Sequence, residues 1–410
     1  MNCIKKWNRE KWIDVSVFAV GFVIYTVLLF ILFHRQTLGN EQVYASDMKA
    51  YILEMLGQNT MYSFPYPIFF KLGALFHLVL KSPELCIALA ATVLNSLSTI
   101  VLKIYMNRSV LSVVGGDTER KRILKSVLVT AATFSIFFVS MLYFPNNYLL
   151  PGLHFKYAGI FSPNPFHNAT YMATRPFAIV AFFLFARILT RYEKETDWKE
   201  NLLFGLFLLL TTMTKPSFTF VLVPTAGLIM LYRLLKCRFG NFRQSLYLGL
   251  CFVPTFGVLL YQFFGVFVPV DGGERGIGFA LGKVWSIYSD NIFFSVALSC
   301  AFPLLVLLLH LKEFKKNSML LFAWQLFAVS FLEAFAMFEK GFRMKDFNFS
   351  WGYMHGLFFV FVASLIVLLR DTFATKKKCW LLAVQWLLYA AHLACGLWYF
   401  RGIFLGGAWR

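Results

Sequence analysis

Two carboxylates, Asp47 and Glu54, stand seven positions apart in the stretch SDMKAYILEM at 46–55. In a helix starting near Ser46 they fall two turns apart on one polar edge, while Met48, Tyr51, Ile52, Met55 and Leu56 share an apolar face. Ser46 has the side chain to cap such a helix. A carboxylate presented in this way can take a proton from an attacking hydroxyl, and Tyr51 adds a phenol beside it. A helix resting on a membrane surface with solvated charges would carry the same pattern.

Three cations are spaced along the chain where they could meet an anion. Arg175 ends the polar run SPNPFHNATYMATRPF, Lys215 lies in TTMTKPSFTF between two apolar runs, and Arg343 sits in EKGFRMKDFNFSWGY. Guanidinium and ammonium groups at a membrane edge can neutralise a phosphate, or extend to the lipid headgroups. Around Arg175 gather Asn164, His167 and Asn168, all able to hydrogen-bond sugar hydroxyls. Around Arg343 lie Glu339, Trp351 and His355, and aromatic faces alternating with ionic groups suit carbohydrate, although an interfacial aromatic belt has a similar composition. Glu333 falls within an apolar run, where an unpaired carboxylate is costly, so it is expected to face the bundle interior and to have a partner.

His, Cys, Asp and Glu are nowhere at metal-ligand spacing: there is no HExxH, and the seven Cys form no CxxC. No metal site is expected, and no cofactor is required. A divalent cation shared by Asp47 or Glu54 and a substrate phosphate is compatible with the residues but not called for by them. Phosphate-cradling Gly loops of the GxxxxGK[ST] or GxGxxG type are missing as well.

The elements that must position these groups follow from composition. Of 410 residues, 59% are hydrophobic and 14% charged, with 49 Phe, a balance that no soluble core could hide. Apolar runs near 15–34, 85–106, 126–144, 176–190, 201–214, 218–235, 246–269, 291–311, 318–338, 353–370 and 379–400 predict an all-α polytopic membrane helix bundle of about eleven transmembrane helices. The two runs within 176–214 are short. Pro67 to Leu80 is too short to cross and is expected to lie along the outer interface. The whole chain, 1–410, reads as a single integral membrane domain, with an amphipathic juxtamembrane helix in the first outer loop.

Lys and Arg concentrate in alternate loops, including RKRILK at 120–125 and KKK at 376–378, which sets the N-terminus in the cytoplasm and the C-terminus outside. The net charge of +19 is thereby explained by loops facing an anionic leaflet, with no nucleic acid involved. The long outer loops are then 35–84, 145–175, 270–290 and 339–352. Pro151, Pro163, Pro165 and Pro176 make the second of these a folded loop rather than a helix.

One span, then an outer loop opening on an Asp in SDMKAYI and continuing through FPYPIFFKLGALF, resembles the GT-C class of polyprenyl-phosphate-dependent membrane glycosyltransferases. The likeness covers the overall topology and the first loop in detail. It departs in having Pro65-Tyr66-Pro67 where the class often has consecutive prolines, and in carrying no large soluble C-terminal domain. The resemblance implies an inverting transfer of sugar from a lipid-linked donor to a glycan, lipid or protein acceptor on the outer face. It makes Asp47 the catalytic base and Arg175, Lys215 and Arg343 the donor-phosphate contacts. Acceptor or sugar contacts would come from Tyr51, Glu54, Asn164, His167, Asn168, Glu339, Trp351 and His355. The lack of a luminal soluble domain and of a disulfide framework points to a bacterial cell membrane and cell-envelope polysaccharide. A polysaccharide polymerase or ligase acting on lipid-linked oligosaccharide would also carry charged outer loops, and a flippase or transporter would instead place ionisable groups near mid-membrane.

Overall fold

The computed structural model describes residues 9–60, 64–111, 118–143, 158–266, 276–374 and 378–407. Helices in chain order are α1 (Arg9–Leu38), α2 (Met48–Met55), α3 (Pro67–Leu80), α4 (Pro83–Val110), α5 (Glu119–Ser135), α6 (Ala169–Ala173), α7 (Arg175–Ile188), α8 (Trp198–Thr214), α9 (Ser217–Lys236), α10 (Phe242–Leu250), α11 (Val253–Val266), α12 (Ile292–Leu309), α13 (Leu311–Phe314), α14 (Ser318–Ala336), α15 (Ser350–Ala374) and α16 (Cys379–Phe404). Two three-residue strands, β1 (Ile277–Phe279) and β2 (Met337–Glu339), pair antiparallel with Ile277 opposite Glu339.

The chain is an all-α polytopic membrane protein. Among the described residues seven helices are long and apolar enough to cross a membrane, and the pair α10 and α11, bent by 45°, would make an eighth as one span. Helices α5, α7 and α8 are shorter, at 17, 14 and 17 residues. Several helix starts are written locally: Ser82, Asp197, Asn291 and Asn317 each accept a backbone N–H of the first turn.

Helix α15 is the hub. Every residue from Ser350 to Leu369 is buried, and α4, α9, α12, α14 and α16 pack around it. A helix apolar on all sides has no solvent-facing stripe, and that is what SWGYMHGLFFVFVASLIVLL encodes.

One apolar run is not helical throughout. Helix α5 stops at Ser135, and 138–142 runs on as an irregular strip, with Ser140 N–H bonding the His392 carbonyl and Leu142 N–H the Leu298 carbonyl. Gly396 of α16 lets the strip in, since a Cβ there would fall on the Phe138 carbonyl oxygen. Opposite, α12 breaks at Cys300 ahead of Pro303, and the freed Phe302 N–H is taken by His392 Nε2 at 3.2 Å while His392 Nδ1 bonds the Ser140 carbonyl at 2.7 Å. Buried backbone groups that leave a helix must find other partners, and His392 supplies three of them, two through its ring.

Candidate functional site

The second polar loop is interior rather than superficial. From Ile160 to Pro176 every residue is buried, with Pro176 opening α7; the segment 144–157, including Pro151, lies outside the described residues. Most of its polar groups are accordingly matched, with Asn164 Oδ1 and two Arg175 nitrogens left without a partner among the described residues. Asn164 gives both amide hydrogens to backbone carbonyls, Ile136 at 3.0 Å and Val139 at 2.9 Å, beyond the end of α5. Gln36 of α1 donates to the Phe166 carbonyl at 3.0 Å. Asn168 caps α6 through a bond from Tyr171 N–H.

The opening helix α2 buries Met48 and Tyr51 as the pattern requires, with Ile52 and Met55 against the same core. It begins one residue later than a Ser46 cap would set it: Asp47 occupies the cap position, and Ser46 accepts the Met48 N–H at 3.3 Å. Asp47 keeps its own carboxylate for other partners. The Pro65-Tyr66-Pro67 sequence holds Tyr66 extended ahead of α3, its ring 5.8 Å from those of Phe64 and Phe70.

Lys215 owes its placement to Pro216. A residue before proline is pushed out of the helical region, and Lys215 is extended (φ −169°, ψ 130°), ending α8 and swinging its side chain under the second loop. There Nζ donates to Asn168 Oδ1 at 3.0 Å and approaches Thr170 Oγ1 at 3.4 Å. It also lies 4.6 Å from the centre of the Trp351 ring, a cation–π contact.

These groups close into one network around Asp47. Asn168 Nδ2 donates to Asp47 Oδ2 at 2.6 Å, Tyr51 donates to the same oxygen at 3.1 Å, and the Tyr51 and Thr170 hydroxyls meet at 2.9 Å. On the far side, Trp351 Nε1 donates to Asn348 Oδ1 at 3.2 Å, and Asn348 Nδ2 to Glu339 Oε2 at 2.9 Å. Glu339 pairs with Arg343 at 3.1 Å, and Asp346 stands 3.6 Å from the same guanidinium. Polar contacts therefore link Asp47 to Arg343 by way of Asn168, Lys215, Trp351, Asn348 and Glu339. Residues from the first, second and fourth predicted outer loops, with Lys215 between α8 and α9, meet in one place.

Electrostatics sharpen the site. Burial pushes the Asp47 carboxyl above the usual carboxylate range, opposed by the Lys215 charge and by the bonds from Tyr51 and Asn168. Burial holds the Lys215 ammonium down at about 7, with Asp47 opposing and the like charge of Arg343 adding to the fall. Burial, helped by Lys215, lowers His167 to about 3, so its imidazole is neutral at pH 7; its ring lies 5.7 Å from that of Trp351. A half-buried carboxylate beside a cation near its own titration point can move a proton and can meet an anion.

Other expected residues lie apart from this centre. Glu54 accepts from Asn59 at 2.8 Å. His355 is fully buried beneath Trp351, with Nε2 3.2 Å from both the Thr174 and Ser217 hydroxyls. Arg175, 1% exposed, shares no hydrogen bond or ion pair with the network; it donates to the Pro163 carbonyl. The Glu333 carboxylate has no hydrogen bond or ion pair among the described residues, against the expectation of a partner. It faces the notch at Gly352, where Oε2 would lie 3.7 Å from a Cβ. Asn348 and Tyr66, the latter hydrogen-bonded to Thr170 of the polar run already noted, belong to the centre without having been singled out for it. Their signal in the sequence was adjacency to residues that were.

Among the described residues no three His, Cys, Asp or Glu side chains converge as a metal site. No known family model matches the sequence, and comparison with curated proteins finds no significant match.

Proposed function

We propose that the chain is an inverting glycosyltransferase that moves a sugar from a polyprenyl-phosphate donor to an acceptor hydroxyl on the extracytoplasmic side of the membrane. The observation that carries this reading is the Asp47 carboxylate, on a residue of intermediate exposure, joined through Asn168 to Lys215. In the proposed step Asp47 takes the acceptor O–H proton as that oxygen bonds to the anomeric carbon. The bond from the anomeric carbon to the phosphate oxygen breaks, its electrons leave with the lipid phosphate, and the configuration inverts. Phosphate needs no acid to depart, but its charge needs a counterpart, which Lys215 and Arg343 supply in this reading. Trp351 and His167 offer a ring platform for the sugar. Asn164, His355 and Arg175, enclosed and committed to backbone, hydroxyl or ring partners, support the second loop from behind and are not given substrate contacts. A topology of eleven spans, with the N-terminus in the cytoplasm of a bacterial cell, belongs to the same proposal.

The test compares wild type and Asp47→Asn, purified in detergent, for lipid-phosphate release from a panel of polyprenyl-phosphate sugars with mixed acceptors. Release by wild type and a drop of at least about a hundredfold in the variant is expected from loss of a general base. Equal release by both would remove Asp47 from the role. One observation favours transport instead: Glu333, an intramembrane carboxylate without a partner among the described residues. On that reading wild type releases no lipid phosphate, and Glu333→Gln abolishes movement of lipid-linked sugar across vesicles.

A further inference from the structure

Arg175 is a fully buried cation with no counter-charge among the described residues. Its guanidinium carbon lies 4.6 Å from the Phe358 ring centre, 5.4 Å from Tyr171 and 5.8 Å from Phe137, and Nη2 donates to the Pro163 carbonyl. Ring faces offset part of the cost of burying a charge. They do not satisfy N–H groups: Nε and Nη1 have no acceptor among the described residues. No carboxylate among those residues pairs with it.

A second orphan donor sits close by. Tyr25 of α1 is 2% exposed, and its hydroxyl has no partner among the described residues. Phe137 touches both, its ring 5.6 Å from that of Tyr25. Two nearby buried side chains from different helices thus have donors unmatched, beside an uncompensated positive charge. Such a cluster is strongly unfavourable as it stands, and one ligand relieves all of it. That ligand accepts hydrogen bonds, carries one negative charge and is small enough for an enclosed site. A polyatomic oxyanion would bring more acceptor oxygens than these donors can serve.

We propose that Arg175 and Tyr25 hold a buried monovalent anion of the halide class, seated between α1 and the start of α7. It would brace the second loop, whose Asn168 lies seven residues before Arg175, from the side away from Asp47. The inference does not depend on the sugar-transfer reading, because it concerns donors outside the Asp47 network.

Two measurements on the full chain test it. The melting temperature of the detergent-purified protein, with sodium gluconate replaced by sodium chloride at constant ionic strength, should rise and saturate. Tyr25→Phe should raise the half-saturating chloride concentration by roughly ten- to a hundredfold, the worth of a hydrogen bond to a charged group. Crystals grown in sodium bromide should show an anomalous peak between Arg175 and Tyr25. A chloride-independent melting temperature in wild type, or density there that is ordered water with no anomalous signal, would overturn the proposal. The bromide measurement uses wild type alone, so it decides the matter even if Tyr25→Phe fails to fold.

Discussion

Asn168 donates its side-chain N–H to the Asp47 carboxylate at 2.6 Å, while its carbonyl oxygen takes the Lys215 ammonium at 3.0 Å. One amide thus keeps an acid and a base of opposite charge in contact without a direct ion pair. Replacing it with a carboxylate would set two acids against each other, and only one of them could ionise readily. Asn168→Asp should lower kcat/KM for lipid-phosphate release by about ten- to a hundredfold, in line with a lost charge-assisted bond of ~1.5–3 kcal/mol. Steady-state kinetics on the folded variant check it; unchanged kcat/KM would show that Asn168 does not govern Asp47.

Activity in this scheme needs Asp47 ionised and Lys215 protonated. The acid limb of kcat/KM should therefore lie above the usual carboxylate range, and the alkaline limb at about 7. Donor phosphate bound at Lys215 would favour its charged form, so the alkaline limb of kcat should move upward. A pH–rate series at low and saturating donor separates the two. An alkaline limb near 10 in kcat/KM would exclude Lys215.

The same lysine affects stability. Its folded value of about 7 lies below the unfolded value of ~10.4, so between these two the unfolded chain binds more protons and stability rises with pH. Lys215→Met should flatten that slope in thermal melts across the window, whatever its effect on turnover.

Trp351 contributes a ring to Lys215 and an N–H to Asn348. Trp351→Phe keeps the first and loses the second, and should cost about 1 kcal/mol in transition-state binding; Trp351→Leu loses both and should cost about 2 kcal/mol. Relative kcat/KM values of the two variants check the ordering, and equal losses would mean the ring face is idle.

At Gly396 the neighbour is backbone, which cannot turn aside as a side chain can. Gly396→Ala should destabilise the protein by at least about 3 kcal/mol, or prevent accumulation of folded protein. Gly402, on the same helix with open space around its Cβ position, is the control. Thermal melts of Gly402→Ala should stay within a few degrees of wild type.

Helix positions were legible because lipid-facing segments advertise themselves by residue type. Thus α1, α4, α15 and α16 fall where the apolar runs lie, and Asp47, Lys215 and Arg343 stood out as charges at the ends of such runs. The path of the backbone was less legible. Nothing in FFVSMLYF says that α5 ends at Ser135, because hydropathy weighs side chains and the departure is held by backbone bonds to His392 and Leu298. Asn164 then becomes comprehensible only afterwards, as the group that serves Ile136 and Val139. The buried state of 160–176 was hidden for a related reason: polar residues look solvated until their partners, distant in sequence, are known. Lys215 shows the opposite case, since the Lys-Pro pair fixes the local turn without tertiary help.

The small ribbon of β1 and β2 has a mechanical side. Ile277 is registered against Glu339, Lys340 N–H bonds the Gly276 carbonyl at 2.8 Å, and the Tyr288 hydroxyl donates to the Lys345 carbonyl. Residues 276–288 are therefore geared to the residues that hold Arg343. Displacing one displaces the other, so any outward movement of the ribbon would also carry away a positive charge, and backbone position and electrostatic grip would change together.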